Sequence, residues 1–165
     1  MTPSFALLTM AGFLATANIP VNPYWESDYS EARKHAEAAR KPLAVVVGAG
    51  ENGWQTLTNE GSMPADVRKT LCQNYICIYI NNETDQGRKS ALALGIQHSG
   101  IVISDRSTEL KAFQHSGKLS QVELNRRLTR YADPQHVVTA TETVAPAPPV
   151  VPVNYYGGCP NCRRQ

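Results

Sequence analysis

The sequence predicts an α/β fold in which a mixed central sheet is flanked by helices on both faces. Three observations carry this. Residues 43–47, "LAVVV", form an unbroken apolar run, the pattern of a strand buried on both faces of a parallel sheet. Residues 75–80, "YICIYI", read as a second strand, and the stretch between the two has the length and residues of a helical crossover. Further on, two short apolar runs flank the turn "DRSTE", and a well-capped helix follows.

The elements follow in order. Asp28 and Glu31 have the spacing of a capping box, which predicts a helix with Ala32, Ala36 and Ala39 on one face. Pro42 ends it, because the residue before proline is driven towards an extended conformation. The strand at 43–47 runs into "GAGENG", a glycine loop, and the segment from Trp54 to Glu60 forms one helix or several turns. Ser62 is placed to cap a further helix, with Pro64 in its first turn and Val67 and Leu71 facing inward. In the next strand Tyr75, Cys77 and Tyr79 face one way, and Ile76, Ile78 and Ile80 the other. "NNETDQGRKSALALGI" is a loop running into a helix that stops at Gly95. Residues 100–104 and 110–114 make an antiparallel hairpin. Ser120 and Glu123 form a second capping box, Leu119 and Leu124 a hydrophobic staple, and Leu124, Leu128 and Tyr131 the apolar side of the last helix. The expected core is Leu43, Val45, Val47, Ile76, Ile78, Ile101, Ile103, Leu124 and Leu128.

From about Tyr24 to Tyr131 this order resembles the thioredoxin-like superfamily. "EARKHAEAARKPLAVVV" corresponds to the first helix and strand of its exported bacterial branch, "SDRSTELKAF" to the family's hairpin, and "GKLSQVELNRRL" to its closing strand-to-helix junction. The resemblance implies a reactive Cys-x-x-Cys at a helix start after the first long strand, where the helix terminus stabilises thiolate. Here that place reads Asn52, Gly53, Trp54 and Gln55, with no thiol from Gly48 to Gln55. It also implies a cis-proline facing the cysteines, and Gly100 stands at or near that position. The two departures agree: a domain without the thiols has no need of the clamp that holds an extended substrate over them. Asn52, Gly53, Trp54 and Gly100 are therefore the candidate binding positions, with Trp54 either a ligand-binding aromatic or a core plug.

The chain has 165 residues, and both ends read as non-globular. Residues 5–14 are apolar and Ala15-Thr16-Ala17 is an A-x-A pattern, which predicts a signal peptide over 1–17 and an exported, periplasmic or extracellular, protein with no membrane span after cleavage. The alternative is a buried helix of the fold. The thioredoxin-like domain is assigned to 18–135, a proline-rich linker carrying Pro146, Pro148, Pro149 and Pro152 to 136–158, and a tail to 159–165.

Of the four cysteines, Cys72 and Cys77 lie inside the domain, as a disulfide or as packed thiols. Cys159 and Cys162 sit in the tail "CPNCRRQ". Haem attachment would need His at 163, which is Arg. Too few residues follow to form a helix. The tail pair stands as a local disulfide, an intermolecular cross-link that makes a homo-oligomer, half of a metal site, a docking tag, or the thiols of an oxidoreductase.

A net charge of +2 with interspersed signs offers no basic stripe, so nucleic acid is not an expected partner. "GAGENG" matches neither the dinucleotide nor the P-loop pattern. The histidines lack metal-ligand spacing, although His98 and His115 are placed to meet near the hairpin. The expectation is a non-catalytic module that binds a protein partner and carries no cofactor, set against an oxidoreductase or metal function of Cys159 and Cys162.

Overall fold

The computed structural model describes residues 22–144. The expected signal segment, the Cys159/Cys162 tail and the linker beyond residue 144 lie outside the described residues. Six strands form one sheet in the order β1-β3-β2-β4-β5-β6. They are β1 (Trp25–Glu26), β2 (Leu43–Gly48), β3 (Ile76–Asn81), β4 (Gly100–Ser104), β5 (Lys111–Ser116) and β6 (Glu142–Thr143). The helices are α1 (Tyr29–Ala39), α2 (Ala65–Asn74), α3 (Asp85–Ala93) and α4 (Gln121–Ala132), with a 3-10 helix at Gly53–Thr56. β2 and β3 are parallel neighbours, in register from Leu43 opposite Ile76 to Gly48 opposite Asn81. β4 alone runs against the rest: it is antiparallel to β2 and β5, while β1 and β6 lie parallel to β3 and β5. This mixed sheet, with helices on both faces, is the α/β architecture that the resemblance implies.

The alternation in β2 divides the core. Ala44 and Val46 face a cluster built with α2, α4 and the 3-10 helix, which holds Trp54, Leu71, Cys77, Ile103, Phe113, Leu124 and Leu128. Leu43, Val45 and Val47 face α1 and α3, where Ala32, Ala36 and Ala91 let the helices approach closely. A bulge between Ile103 and Ser104 lets both Ala112 and Phe113 enter the first cluster.

Local chemistry explains the helix ends. The Asp28 carboxylate accepts from the Glu31 N–H at 2.9 Å, and Ser120 Oγ from the Glu123 N–H at 3.2 Å. α1 stops before Pro42 takes effect, because Arg40 adopts a left-handed conformation (φ 52°) and its N–H returns to the Ala36 and Glu37 carbonyls. The Arg106 guanidinium donates to the Arg40 carbonyl at 2.6 Å and to the Ala132 carbonyl, tying the ends of α1 and α4 together.

Four details differ from the sequence reading. Ala39 is exposed, since α1 meets the sheet only through Ala32 and Ala36. Pro64, not Ser62, is the N-cap of α2, and the Ser62 carbonyl accepts from Thr58 Oγ1 and Gln121 Nε2. Ile76 is only half-buried, because β1 covers β3 at Cys77 and Ile78 and leaves Ile76 on the open edge. The segment taken as the start of the linker supplies β6. Glu142 there is clipped by Arg127 (2.5 Å) and Arg130 (2.8 Å), and the Arg127 guanidinium lies 5.1 Å from the Phe113 ring centre.

Candidate functional site

Open α/β sheets bind ligands outside the carboxyl ends of their parallel strands. At that end here lie the loop after β2, the turn after β3, the start of β4 and the turn after β5. Gly100 pairs with Val47, so Asn52, Gly53 and Gly100 are gathered at one end of the sheet. A side chain at Gly100 has no room: a Cβ there would lie 2.3 Å from the His115 carbonyl oxygen.

The loop itself is tightly held. A Cβ on Gly48 would sit 2.9 Å from the Gly53 carbonyl carbon, and a Cβ on Gly53 would sit 2.4 Å from Tyr79 Oη. Two glycines thus allow the loop to fold back onto the end of β2. Tyr79 Oη donates to the Gly50 carbonyl at 2.6 Å, and partial burial pushes the phenol's pKa up, which keeps it a donor. Asn81 Oδ1 accepts from the Gly50 N–H at 3.1 Å and the Glu83 N–H at 3.0 Å. The Asn82 N–H donates to the Gly48 carbonyl at 2.9 Å, and its side chain donates to the His98 carbonyl. The sequence reading made this a glycine loop followed by one helix or several turns. The structure makes it a braced arch followed by a four-residue 3-10 helix.

Trp54 is 6% exposed, and its indole centre lies 5.4 Å from that of Trp25, whose ring meets Tyr79 edge-on at 6.0 Å. The indole is therefore a core plug and presents no binding surface. Asn52 is exposed and Gly53 half-buried; the Asn52 carbonyl accepts from the Gln55 N–H at 3.0 Å. Beyond the 3-10 helix, Thr58 is fully buried and bridges Leu119, which fixes this segment against the start of α4. The site's chemistry is that of backbone amides, an exposed amide side chain and small residues, with no nucleophile or titrating group in the loop tip besides Glu51.

Cys72 and Cys77, raised as a possible disulfide, are not bridged. The Cys77 thiol is 3% exposed and donates to the Leu71 carbonyl at 3.8 Å; burial pushes its pKa up strongly, and that of Cys72 less. Cys159 and Cys162 lie outside the described residues. His115 Nε2 lies 3.3 Å from the Lys118 carbonyl oxygen, and among the described residues no three His, Cys, Asp or Glu side chains gather as a metal site would require. No described helix is long and apolar enough to cross a membrane.

One feature was missed from sequence. A cavity of about 620 Å³ lies between the start of α1 and α3, lined among others by Tyr29, Ile78, Ile80, Gln86, Ser90 and Leu94. Its signal was the pairing of an apolar strand face with a helix whose inward side is mostly small residues.

No protein-family model matches the sequence, and a comparison with curated proteins finds no match. Among solved structures, the chain is similar to a "DsbH Oxidoreductase", with 14% identity and a TM-score of 0.46, covering 76% of this chain and 93% of that one. The likeness is one of chain path, and no residue role is transferred from it.

Proposed function

We propose that this chain is an exported, thioredoxin-like binding or assembly module whose loop at the carboxyl end of the parallel strands meets a protein partner without exchanging thiols. One observation carries the reading. Where the superfamily places its reactive pair, residues 52–55 hold no sulfur, and the space is taken by the Gly48–Gly53 contact and the Tyr79–Gly50 hydrogen bond. Thiol exchange requires a thiolate that attacks a sulfur, so this loop has no route to it. Gly100 in place of the superfamily's proline agrees, because no substrate disulfide needs to be held over the loop.

The second reading rests on Cys159 and Cys162, which have redox-type spacing and two arginines beside them. One experiment separates the two. Disulfide reduction is assayed with the full chain and with a chain ending at Tyr156. No activity in either form supports the binding module. Activity in the full chain that disappears on truncation assigns it to the tail pair. Activity that survives truncation overturns both readings, since it would have to come from Cys72 and Cys77.

A further inference from the structure

The loop after β2 holds a reactive pair of its own. Asn52 and Gly53 are the one Asn-Gly pair in the chain. Asn52 is exposed, its side chain caps no backbone group, and no described residue hydrogen-bonds its amide. Gly53 has no Cβ to shield its own nitrogen. Asn52 Cγ and the Gly53 nitrogen are the atoms that join when an asparaginyl side chain cyclises onto the following peptide.

The folded arch holds these two atoms apart. Asn52 has ψ 18°. At a tetrahedral Cα that angle sets the Gly53 nitrogen on the far side of the Cα–C bond from Cβ, and ring closure needs it on the Cβ side. The Asn52–Gly53 peptide must therefore swing round. The swing takes the Asn52 carbonyl from the Gln55 N–H, which donates to it at 3.0 Å. It also lifts Gly53 off Gly48, where a Cβ on Gly48 would lie 2.9 Å from the Gly53 carbonyl carbon. The 2.6 Å bond from Tyr79 Oη to the Gly50 carbonyl closes the same arch.

We propose that Asn52 is a modification site, deamidated and isomerised spontaneously at a rate set by opening of the arch. With the arch open, the Gly53 nitrogen gives its proton to solvent and attacks Asn52 Cγ. A C–N bond forms, the bond from Cγ to the side-chain nitrogen breaks, and that nitrogen takes a proton from solvent and leaves as ammonia. Water then adds to one of the ring carbonyls, and the ring C–N bond on that side breaks. Opening at the side-chain carbonyl leaves an aspartyl residue. Opening at the main-chain carbonyl leaves an isoaspartyl residue, whose backbone runs through Cβ. In sum, an amide and a water become a carboxylate and an ammonium ion, with no change of oxidation state. Either product sets a new negative charge beside Glu51. The isoaspartyl form also adds a backbone atom to an arch that has no room for a Cβ at Gly48 or Gly53. The modification needs no partner; that it alters binding rests on the role proposed above for the loop.

The test holds the full chain folded for several weeks at body temperature in mildly alkaline buffer, which favours loss of the amide proton. Peptide mapping follows the amides, and isoaspartyl methyltransferase labelling counts the isomerised product. Asn52 should convert to both products, while exposed Asn59 and Asn125, followed by Glu60 and Arg126, keep their amides. In the urea-unfolded chain Asn52 should convert at least about tenfold faster, because the arch is gone. Tyr79→Phe keeps the ring but loses the bond to Gly50, and should speed the folded-state reaction about fivefold. Arg106→Ala acts at the ends of α1 and α4, away from the arch, and should leave that rate within about twofold although it lowers global stability. Circular dichroism checks that each variant is folded, and if one is not, the parent's folded-against-unfolded ratio decides the matter. Retention of the Asn52 amide in the folded chain, equal rates folded and unfolded, no acceleration in Tyr79→Phe, or equal acceleration in Arg106→Ala would overturn the proposal.

Discussion

Gly53→Ala tests whether the arch after β2 is braced as described. The new methyl would lie 2.4 Å from Tyr79 Oη and 2.9 Å from the Gly48 carbonyl carbon. The first contact can be relieved only by moving the phenol, which breaks its 2.6 Å bond to the Gly50 carbonyl. Losing that bond costs about 1 kcal/mol. Overpacking against the Gly48 backbone adds about 1–3 kcal/mol. The substitution should therefore destabilise the chain by about 2–4 kcal/mol, read as a lower urea midpoint at unchanged m-value. Tyr79→Phe alone should cost about 1 kcal/mol, since it removes the same hydrogen bond. In the double variant the hydroxyl that met the methyl is gone, and the bond is lost only once. The two costs should then fall short of additivity by at least about 1 kcal/mol. Strict additivity would refute the reasoning, because it would mean that the methyl and the phenol never compete for the same space.

Three further outcomes are expected. Ile78→Ala should cost about 2–5 kcal/mol in denaturant unfolding and Ile80→Ala distinctly less, because Ile78 is 2% exposed whereas Ile80 lies half-open at the α1–α3 cavity; a loss below about 0.5 kcal/mol at Ile78 would mean that the facing of β3 is misread. Arg106→Ala should lower stability by about 1–3 kcal/mol, and Arg106→Lys should recover little of it, since a single ammonium does not span the Arg40 and Ala132 carbonyls as the guanidinium does. His35 has its pKa raised, chiefly by its hydrogen bond to Glu26 with Nδ1 2.9 Å from Oε1. A raised folded-state pKa contributes stability that is present below the unfolded imidazole value and lost as pH rises through the folded one. The urea midpoint should therefore fall as pH is raised through neutrality, and His35→Gln should flatten that slope.

What the sequence made legible was mostly local. The caps at Asp28 and Ser120 depend on a side chain reaching a backbone N–H three residues away, so spacing alone reveals them. The parallel pairing of β2 and β3 follows from the apolar run at 43–47, because only a strand covered on both faces dispenses with alternation. β1 and β6 were not legible. Two residues carry no period, and each strand exists only because a longer neighbour offers an edge. Tertiary pairing likewise decides the bulge that brings Ala112 and Phe113 to the same face. At the candidate site, the absence of sulfur from residues 52–55 could be read directly. The brace could not, since it joins Gly50 and Gly53 to Tyr79, a residue on the next strand. Trp54 was left open between ligand and core because its direction depends on Trp25, which lies on that illegible edge strand.

The direction of β6 has a consequence for whatever follows it. β6 runs parallel to β2, so the chain leaves Thr143 at the same end of the sheet as the loop after β2. The arginines on Glu142 hold that exit point in place. The sheet is six strands wide, about 24 Å at ordinary strand spacing. Whatever follows Thr143 therefore starts from the loop's own end of the sheet, no farther from the loop than the width of the sheet.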